Sequence, residues 1–267
     1  MSISEVFYQA VHHHHKVFIP FVTAGDPTLL GTAEFLCVLE RAGAGIIELG
    51  VPFSDPMADG PTIQRSSQRG LEQGATVLSI LRLVADLRHS GKLTVPVVLF
   101  TYLNPVLALG FEEFTERARR ARVDGLLILD LPPEEAGPYC RAALQNGLEM
   151  IFLASPTTTT ERLRTIDELS TGFVYYVSRL GVTGVQQELS CSLGEEIARL
   201  RRVVTKPLAV GFGISSAEQA VQVARLADGV VIGSKMVSLI EESNSVPEAC
   251  DALEEFTRSV AGALRCL

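Results

Sequence analysis

A glutamate stands inside a short apolar run, and an aspartate follows it eleven residues later. Glu48 lies within the segment IIELGV, where a buried carboxyl is costly unless it has a partner or a function. None of the eight apolar runs of the chain contains Lys or Arg, so an interior ion pair is disfavoured. An apolar wall raises the pKa of a carboxyl, which suits proton transfer near neutral pH. We therefore expect Glu48 to be catalytic.

Asp59 lies in a loop rich in proline and aspartate that also holds Asp55. Proline fixes φ and aspartate bonds to its own backbone, so such residues are turn formers more often than catalysts. From the residues alone, the role of Asp59 stays open between the two.

Two later apolar runs end in glycine and serine. The segments are GFGIS, with Gly213 and Ser215, and GSK, with Gly233, Ser234 and Lys235. Glycine lets the backbone approach an anion, and the N–H groups of a helix start attract it. This pattern predicts a phosphorylated substrate, with Lys235 either adding charge or lying along the surface.

The sequence lacks the motifs of several other kinds of enzyme chemistry. The sequence has no Walker loop, GxGxxG segment, metal-binding His pair or nucleophile elbow, and no strand-end lysine for a Schiff base. The run His12 to His15 points its consecutive side chains in different directions, so we interpret it as a solvated helix end. We expect no metal and no cofactor in this chain.

The elements that position these residues repeat regularly. Continuous apolar runs of this length are typical of parallel strands that are buried on both faces. The runs are 17–25, 45–52, 96–102, 125–132, 149–156, 173–178, 207–214 and 229–234. Apolar spacing and caps predict helices over 28–43, 76–89, 112–121, 134–146, 160–170, 193–204, 216–226 and 247–264, with one more before the first strand. Thr76 is a candidate cap, and Ser215 with Glu218 a candidate capping box.

Eight strands that alternate with helices predict a (β/α)8 TIM barrel with an extra N-terminal helix, as one domain over residues 1–267. An open doubly wound sheet is the competing fold. In a barrel the active site lies at the carboxyl ends of the strands, where the apolar runs give way to polar residues. These residues are Thr23, Asp26, Glu48, Tyr102, Asn104, Asp130, Ser155 and Tyr175.

The overall composition argues against some classes of binding partner. A net charge of -8 with no long basic run argues against nucleic acid or an anionic membrane as partner. No apolar run approaches the length of a membrane span, and the N-terminus does not have the pattern of a secretory signal. The five cysteines are scattered, which is neither a disulfide framework nor a zinc pattern. We expect a cytoplasmic protein.

Five segments, in order and spacing, resemble the tryptophan synthase alpha subunit family. They are PFVTAGDP (20–27), ELGVPFSDPMADGPTIQ (48–64), YYVSRLGVTG (175–184), GFGIS (211–215) and GS (233–234). The resemblance implies retro-aldol cleavage of indole-3-glycerol phosphate to indole and glyceraldehyde 3-phosphate. It also implies that Glu48 is the acid/base at indole C3 and the glycerol hydroxyl. Asp59 then acts on the indole N–H, and Tyr175 supports Glu48.

The same resemblance assigns the rest of the site. It implies a phosphate site at Gly184, Gly213, Gly233 and Ser234, and an indole pocket of Phe21, Leu99, Tyr102, Leu127 and Phe212. It implies a lid with Arg179 and Thr183, and a face toward a β subunit with Asp55, Pro56 and Pro132. That partner carries pyridoxal phosphate and receives indole through a tunnel in an allosteric α2β2 complex.

Rival functions predict other residues. Indole-glycerol-phosphate synthase would need strand-end lysines, and ribulose-phosphate epimerase histidine metal ligands; phosphoribosylanthranilate isomerase is another phosphate-binding barrel. A catalytically silent barrel that only activates a β subunit is the alternative of a different class. The joint presence of Glu48, Asp59, Tyr175 and the phosphate glycines argues against it.

Overall fold

Eight parallel strands close into a barrel in the computed structural model, which describes residues 1–178, 186–211 and 213–267, with the backbone alone for 186–192. The strands follow one another around the barrel in chain order, and the first pairs with the last. They are β1 (Val17–Thr23), β2 (Ile47–Gly50), β3 (Val97–Thr101), β4 (Gly125–Ile128), β5 (Glu149–Ala154), β6 (Val174–Val177), β7 (Leu208–Gly211) and β8 (Gly229–Ile232). The predicted (β/α)8 barrel is confirmed, and the open sheet is wrong.

Helices surround this barrel. They are α1 (Ile3–His12), α2 (Leu29–Ala42), α3 (Pro61–Glu72), α4 (Val77–His89), α5 (Leu103–Leu107), α6 (Phe111–Arg120), α7 (Gly137–Gln145), α8 (Thr160–Leu169), α9 (Gln186–Arg201), α10 (Ala217–Ala224), α11 (Ser234–Glu242) and α12 (Val246–Leu264). Among these described helices, none has the length and apolar character needed to cross a bilayer.

Helix α3 was not predicted, for a physical reason. Its buried face consists of Ser66, Ser67 and Gly70, so it lacks the apolar stripe that marks an amphipathic helix. A Cβ on Gly70 would lie 2.6 Å from the carbonyl oxygen of Ala24, so glycine lets α3 lie close against the chain after β1. Small residues, rather than apolar ones, fix this helix next to the strand ends.

Two cap predictions had different outcomes. Thr76 caps α4, with its side chain accepting the Ser79 N–H, as expected. The Ser215 capping box is wrong by one residue, because Ser216 is the cap of α10 and accepts the N–H of Gln219.

The predicted N-terminal helix packs on the amino ends of the strands. Ile3 and Phe7 of α1 join the apolar cluster inside the barrel. The helix ends at His12, and His13 is its cap. His12 to His14 are exposed, in agreement with a solvated helix end. Within the described part of the chain, no group of three or more metal-ligating side chains comes together.

Candidate active site

A cavity opens at the carboxyl ends of the strands, where the (β/α)8 fold places active sites. Its volume is about 1220 Å³, ample for a substrate with an aromatic ring and a phosphate. Of the polar strand-end residues singled out above, Glu48, Asp130, Ser155 and Tyr175 line this cavity.

Glu48 lies on the floor of the cavity. It is a β2 residue in register with Phe21 of β1 and Val98 of β3, and only 1% of its surface is exposed. Neither carboxyl oxygen has a hydrogen-bond partner among the described residues. Burial alone raises the pKa of Glu48 from 4.5 to about 8. The carboxyl is therefore mainly protonated at neutral pH and can donate a proton.

Tyr175 of β6 lines the same cavity and shares the electrostatic environment of Glu48. Burial is the largest cause that raises the pKa of Tyr175, and the charges of Glu48 and Asp59 raise this pKa further. Its phenol lies close against Gly211, where an added Cβ would be 2.5 Å from the ring carbon Cε2. The glycine at the end of β7 thus provides the space that the phenol occupies.

Asp59 enters the cavity from the loop between β2 and α3. The Tyr102 hydroxyl donates to Asp59 Oδ2 at 2.9 Å and accepts the Ala58 N–H at 3.0 Å. Gln64 Nε2 donates to the Asp59 carbonyl at 2.9 Å. Burial raises the pKa of Asp59, and the hydrogen bond from Tyr102 partly offsets that rise. These three contacts hold the carboxylate in one place.

Three of the predicted indole-pocket residues lie elsewhere. Leu99 belongs to the core between barrel and helices, and its neighbour Phe100 lines the cavity, because successive strand residues face opposite sides. Leu127 is part of the apolar cluster inside the barrel, and Leu129, two residues further on, lines the cavity. Tyr102 is not among the lining residues and instead holds Asp59.

Phe21, the first of the predicted indole-pocket residues, lines the cavity. Its ring lies over Gly50, where a Cβ would be 2.5 Å from the ring atom Cζ, and meets Phe100 edge to face at 5.0 Å between centroids. An apolar wall suited to a flat aromatic ring therefore stands beside the carboxyl of Glu48.

Three of the predicted phosphate residues also border the cavity. Gly213, Gly233 and Ser234 all line it, together with Lys235. Gly213 has a φ of +26°, and Gly233 caps α11 with no side-chain hydrogen bond to the helix start. The first N–H groups of α11 are thus available to an anion, and Lys235 adds positive charge. Gly184, Phe212, Arg179 and Thr183 lie outside the described residues.

Two of the predicted partner-facing residues lie on the loop that carries Asp59, and the third lines the cavity. Asp55 is exposed, Pro56 is partly buried, and the adjoining Met57 side chain is 92% exposed. Pro132 lines the rim of the cavity. This loop is the same one that carries Asp59, so a protein bound there would contact the catalytic segment directly.

Two polar strand-end residues serve α3 instead of the cavity. The Thr23 hydroxyl lies 2.7 Å from that of Ser66, and the buried Asp26 accepts two hydrogen bonds from Arg69. Because Thr23 and Asp26 are polar residues at a strand end, the sequence indicated a place in the active site. The packing of α3 shows that their partners are Ser66 and Arg69.

The buried acid, the second carboxyl and the helix N-terminus define a class of protein: a phosphate-binding (β/α)8 barrel enzyme that acts by proton transfer. The family model described as tryptophan synthase alpha chain matches residues 7–264. The chain belongs to this family, and the resemblance in its motifs is confirmed.

Individual relatives agree over nearly the whole length. The tryptophan synthase alpha chain of Gloeobacter violaceus is 48% identical over 267 residues, covering 99% of this chain and 95% of the relative. That of Pelobacter propionicus is 45% identical over 259 residues, covering 97% and 95%. The crystal structure of tryptophan synthase subunit alpha from Legionella pneumophila superposes with a TM-score of 0.92 at 34% identity, covering 100% of both chains. A ligand-free tryptophan synthase mutant from M. tuberculosis gives 0.87 at 33%, covering 99% and 100%.

Proposed function

We propose that this chain cleaves indole-3-glycerol phosphate to indole and glyceraldehyde 3-phosphate, with Glu48 and Asp59 as its acid/base pair. The family is one of lyases with this activity. The observation that carries the residue assignment is the unpartnered, buried carboxyl of Glu48, in one cavity with Asp59 and with the start of α11.

The first step is protonation of indole C3. Glu48 is suited to it because burial keeps its carboxyl protonated at neutral pH. The ring then carries a positive charge that is shared with its N–H group. The Asp59 carboxylate, held by Tyr102, accepts a hydrogen bond from that N–H and stabilises the charge.

The second step breaks the carbon–carbon bond. The Glu48 carboxylate takes the proton of the glycerol hydroxyl, the oxygen forms the aldehyde carbonyl, and the bond electrons return to the ring. Indole leaves with its new C3 hydrogen, and Glu48 is protonated again. One proton enters and one leaves, so the step is balanced.

The phosphate end fixes the substrate for both steps. The N–H groups at the start of α11, the backbone at Gly213 and the side chains of Ser234 and Lys235 face the cavity. Binding of the non-reacting phosphate supplies the orientation that proton transfer at both ends of one bond requires.

The partner follows from the family and from the exposed loop. The alpha chain generally works with a β chain, and we assign to this chain an α2β2 complex in the cytoplasm. Asp55, Pro56 and Pro132 face the β subunit, which supplies pyridoxal phosphate chemistry and receives the indole.

Release of indole from indole-3-glycerol phosphate tests the proposal. The wild-type chain should release indole slowly alone and faster with a β subunit. Glu48→Gln and Asp59→Asn should each lose at least about a hundredfold in rate, because each removes a proton-transfer or charge-stabilising group. Both should still bind glyceraldehyde 3-phosphate. A wild-type chain that activates a β subunit but releases no indole would instead be the silent barrel.

A further inference from the structure

An ion-pair network joins α3 and α11, two helices whose N-termini border the cavity. Both oxygens of Glu241, in the last turn of α11, accept hydrogen bonds from Arg65 of α3 at 2.7 and 2.8 Å. Arg69 of α3 adds a third hydrogen bond to Glu241 at 2.8 Å. The other edge of Arg69 donates twice to Asp26, whose side chain is 2% exposed. The network therefore runs from α11 through α3 to the buried end of β1.

The position of this network relates the two ends of the substrate. Helix α3 begins at Pro61, two residues after Asp59, which acts at the indole end. Helix α11 begins at Ser234, at the phosphate end. At 1.5 Å per residue, Glu241 lies about 10 Å along α11 from Ser234. The two helix starts thus carry opposite ends of the site, and the network joins the helices further along their length.

We propose that Glu241 and Arg65 are positioning residues that hold the phosphate-binding start of α11 at a fixed distance and angle from the Asp59 loop. This inference rests on the proposed function. Neither side chain lines the cavity, so any effect on cleavage passes through the placement of the helices. A tilt of about 5° over 10 Å moves a helix start by about 1 Å, and misplacement on this scale is costly to catalysis.

A matched ion pair elsewhere separates this role from general stabilisation. Glu254 of α12 also bonds two arginines, Arg41 of α2 at 2.7 Å and Arg258. The Arg41 and Glu254 side chains are 57% and 19% exposed, against 53% and 28% for Arg65 and Glu241. The Glu254 pair joins two helices but involves no residue of the cavity lining.

The test compares Glu241→Gln and Arg65→Gln with Glu254→Gln. The probes are inorganic phosphate, which occupies one end of the site, and a non-cleavable indole-bearing alkyl phosphate, which spans both ends. For Glu241→Gln we expect kcat/KM for indole-3-glycerol phosphate and affinity for the spanning analogue to fall about tenfold. Affinity for inorganic phosphate should change less than twofold, and Glu254→Gln should leave all three values unchanged.

Two further variants refine the test. Since Arg65 acts only through its contact with Glu241, the double variant should lose about as much as Glu241→Gln alone. Glu241→Asp keeps the negative charge but has a shorter side chain, so its loss of kcat/KM and of analogue affinity should be intermediate. This variant serves as the test if Glu241→Gln does not fold.

Several results would overturn the inference. One is unchanged cleavage and analogue binding in folded Glu241 variants, and another is an equal loss in Glu254→Gln. A third is a loss of inorganic phosphate binding as large as that of the spanning analogue. If the wild-type chain cleaves no substrate, the proposed function fails, and the comparison of the two probes still decides whether the helices are held in this way.

Discussion

Replacement of Glu48 by glutamine should stabilise the fold while it removes activity, and the gain should grow with pH. The reason is linkage between proton binding and folding. In the folded chain the pKa of Glu48 is about 8, and its ordinary value is 4.5. The folded state therefore binds the proton more tightly than the unfolded state. The relative stability of wild type is highest below pH 4.5 and is lost as pH rises toward about 8.

The size of the effect follows from that interval. Each pH unit between the two pKa values costs about 1.4 kcal/mol of the free energy of unfolding. From pH 5 to pH 8 the wild type should lose up to about 4 kcal/mol relative to Glu48→Gln. The amide also lacks partners in the same pocket, but that cost does not depend on pH. The change with pH, rather than the difference at one pH, is therefore the quantity to measure.

Urea unfolding of both proteins at pH 5, 6, 7 and 8 gives this quantity by linear extrapolation. Glu254→Gln is a control of opposite sign, because the hydrogen bond from Arg41 lowers the pKa of Glu254. Its replacement should therefore reduce stability at neutral pH. A constant difference between wild type and Glu48→Gln from pH 5 to pH 8 would refute the reasoning, since it would mean that Glu48 is solvated or paired.

Two further substitutions test the geometry around the acid/base pair. Tyr102→Phe removes the hydrogen bond that lowers the pKa of Asp59, so kcat/KM should fall about tenfold and the acidic limb of its pH profile should move to higher pH. An unchanged profile would contradict this role. Gly211→Ala places a Cβ against the Tyr175 ring and should cost about 1–3 kcal/mol in stability and most of the cleavage rate. Gly262→Ala, whose added Cβ meets nothing within 4 Å, is the control and should be neutral.

The outward-facing position of Leu99 shows one limit of the sequence pattern. Strands of a barrel are apolar on both faces, so Leu99 and Phe100 are equally plausible as lining residues in the sequence. Only closure of the barrel decides that Phe100 faces the cavity and Leu99 the helices. Leu127 and Leu129 belong to the same apolar cluster, and the sequence does not show that Leu127 lies within the barrel interior while Leu129 reaches the cavity at the strand ends.

Tyr102 shows a second kind of limit. Its position at the end of β3 indicated a place in the site, but its partner comes from a loop more than forty residues earlier. The same holds for Glu241 and Arg65, which look in the sequence like ordinary surface charges of two separate segments. Contacts between distant segments depend on packing, and no local pattern encodes them.

The sequence by itself determined that parallel strands alternate with helices, because buried strands and amphipathic helices have different apolar periods that can be read locally. Closure of these strands into a barrel, rather than an open sheet, was decided by the tertiary structure. The sequence also singled out Glu48 as a candidate catalytic residue, since a carboxyl in an apolar run without cations is costly unless it has a function. The tertiary structure alone decided that this acid has no partner among the described residues, that Tyr102 holds Asp59, and that α3 and α11 are linked behind the cavity. Burial and pairing are properties of the assembled chain, so the pKa that makes Glu48 an acid at neutral pH arises only in the folded protein.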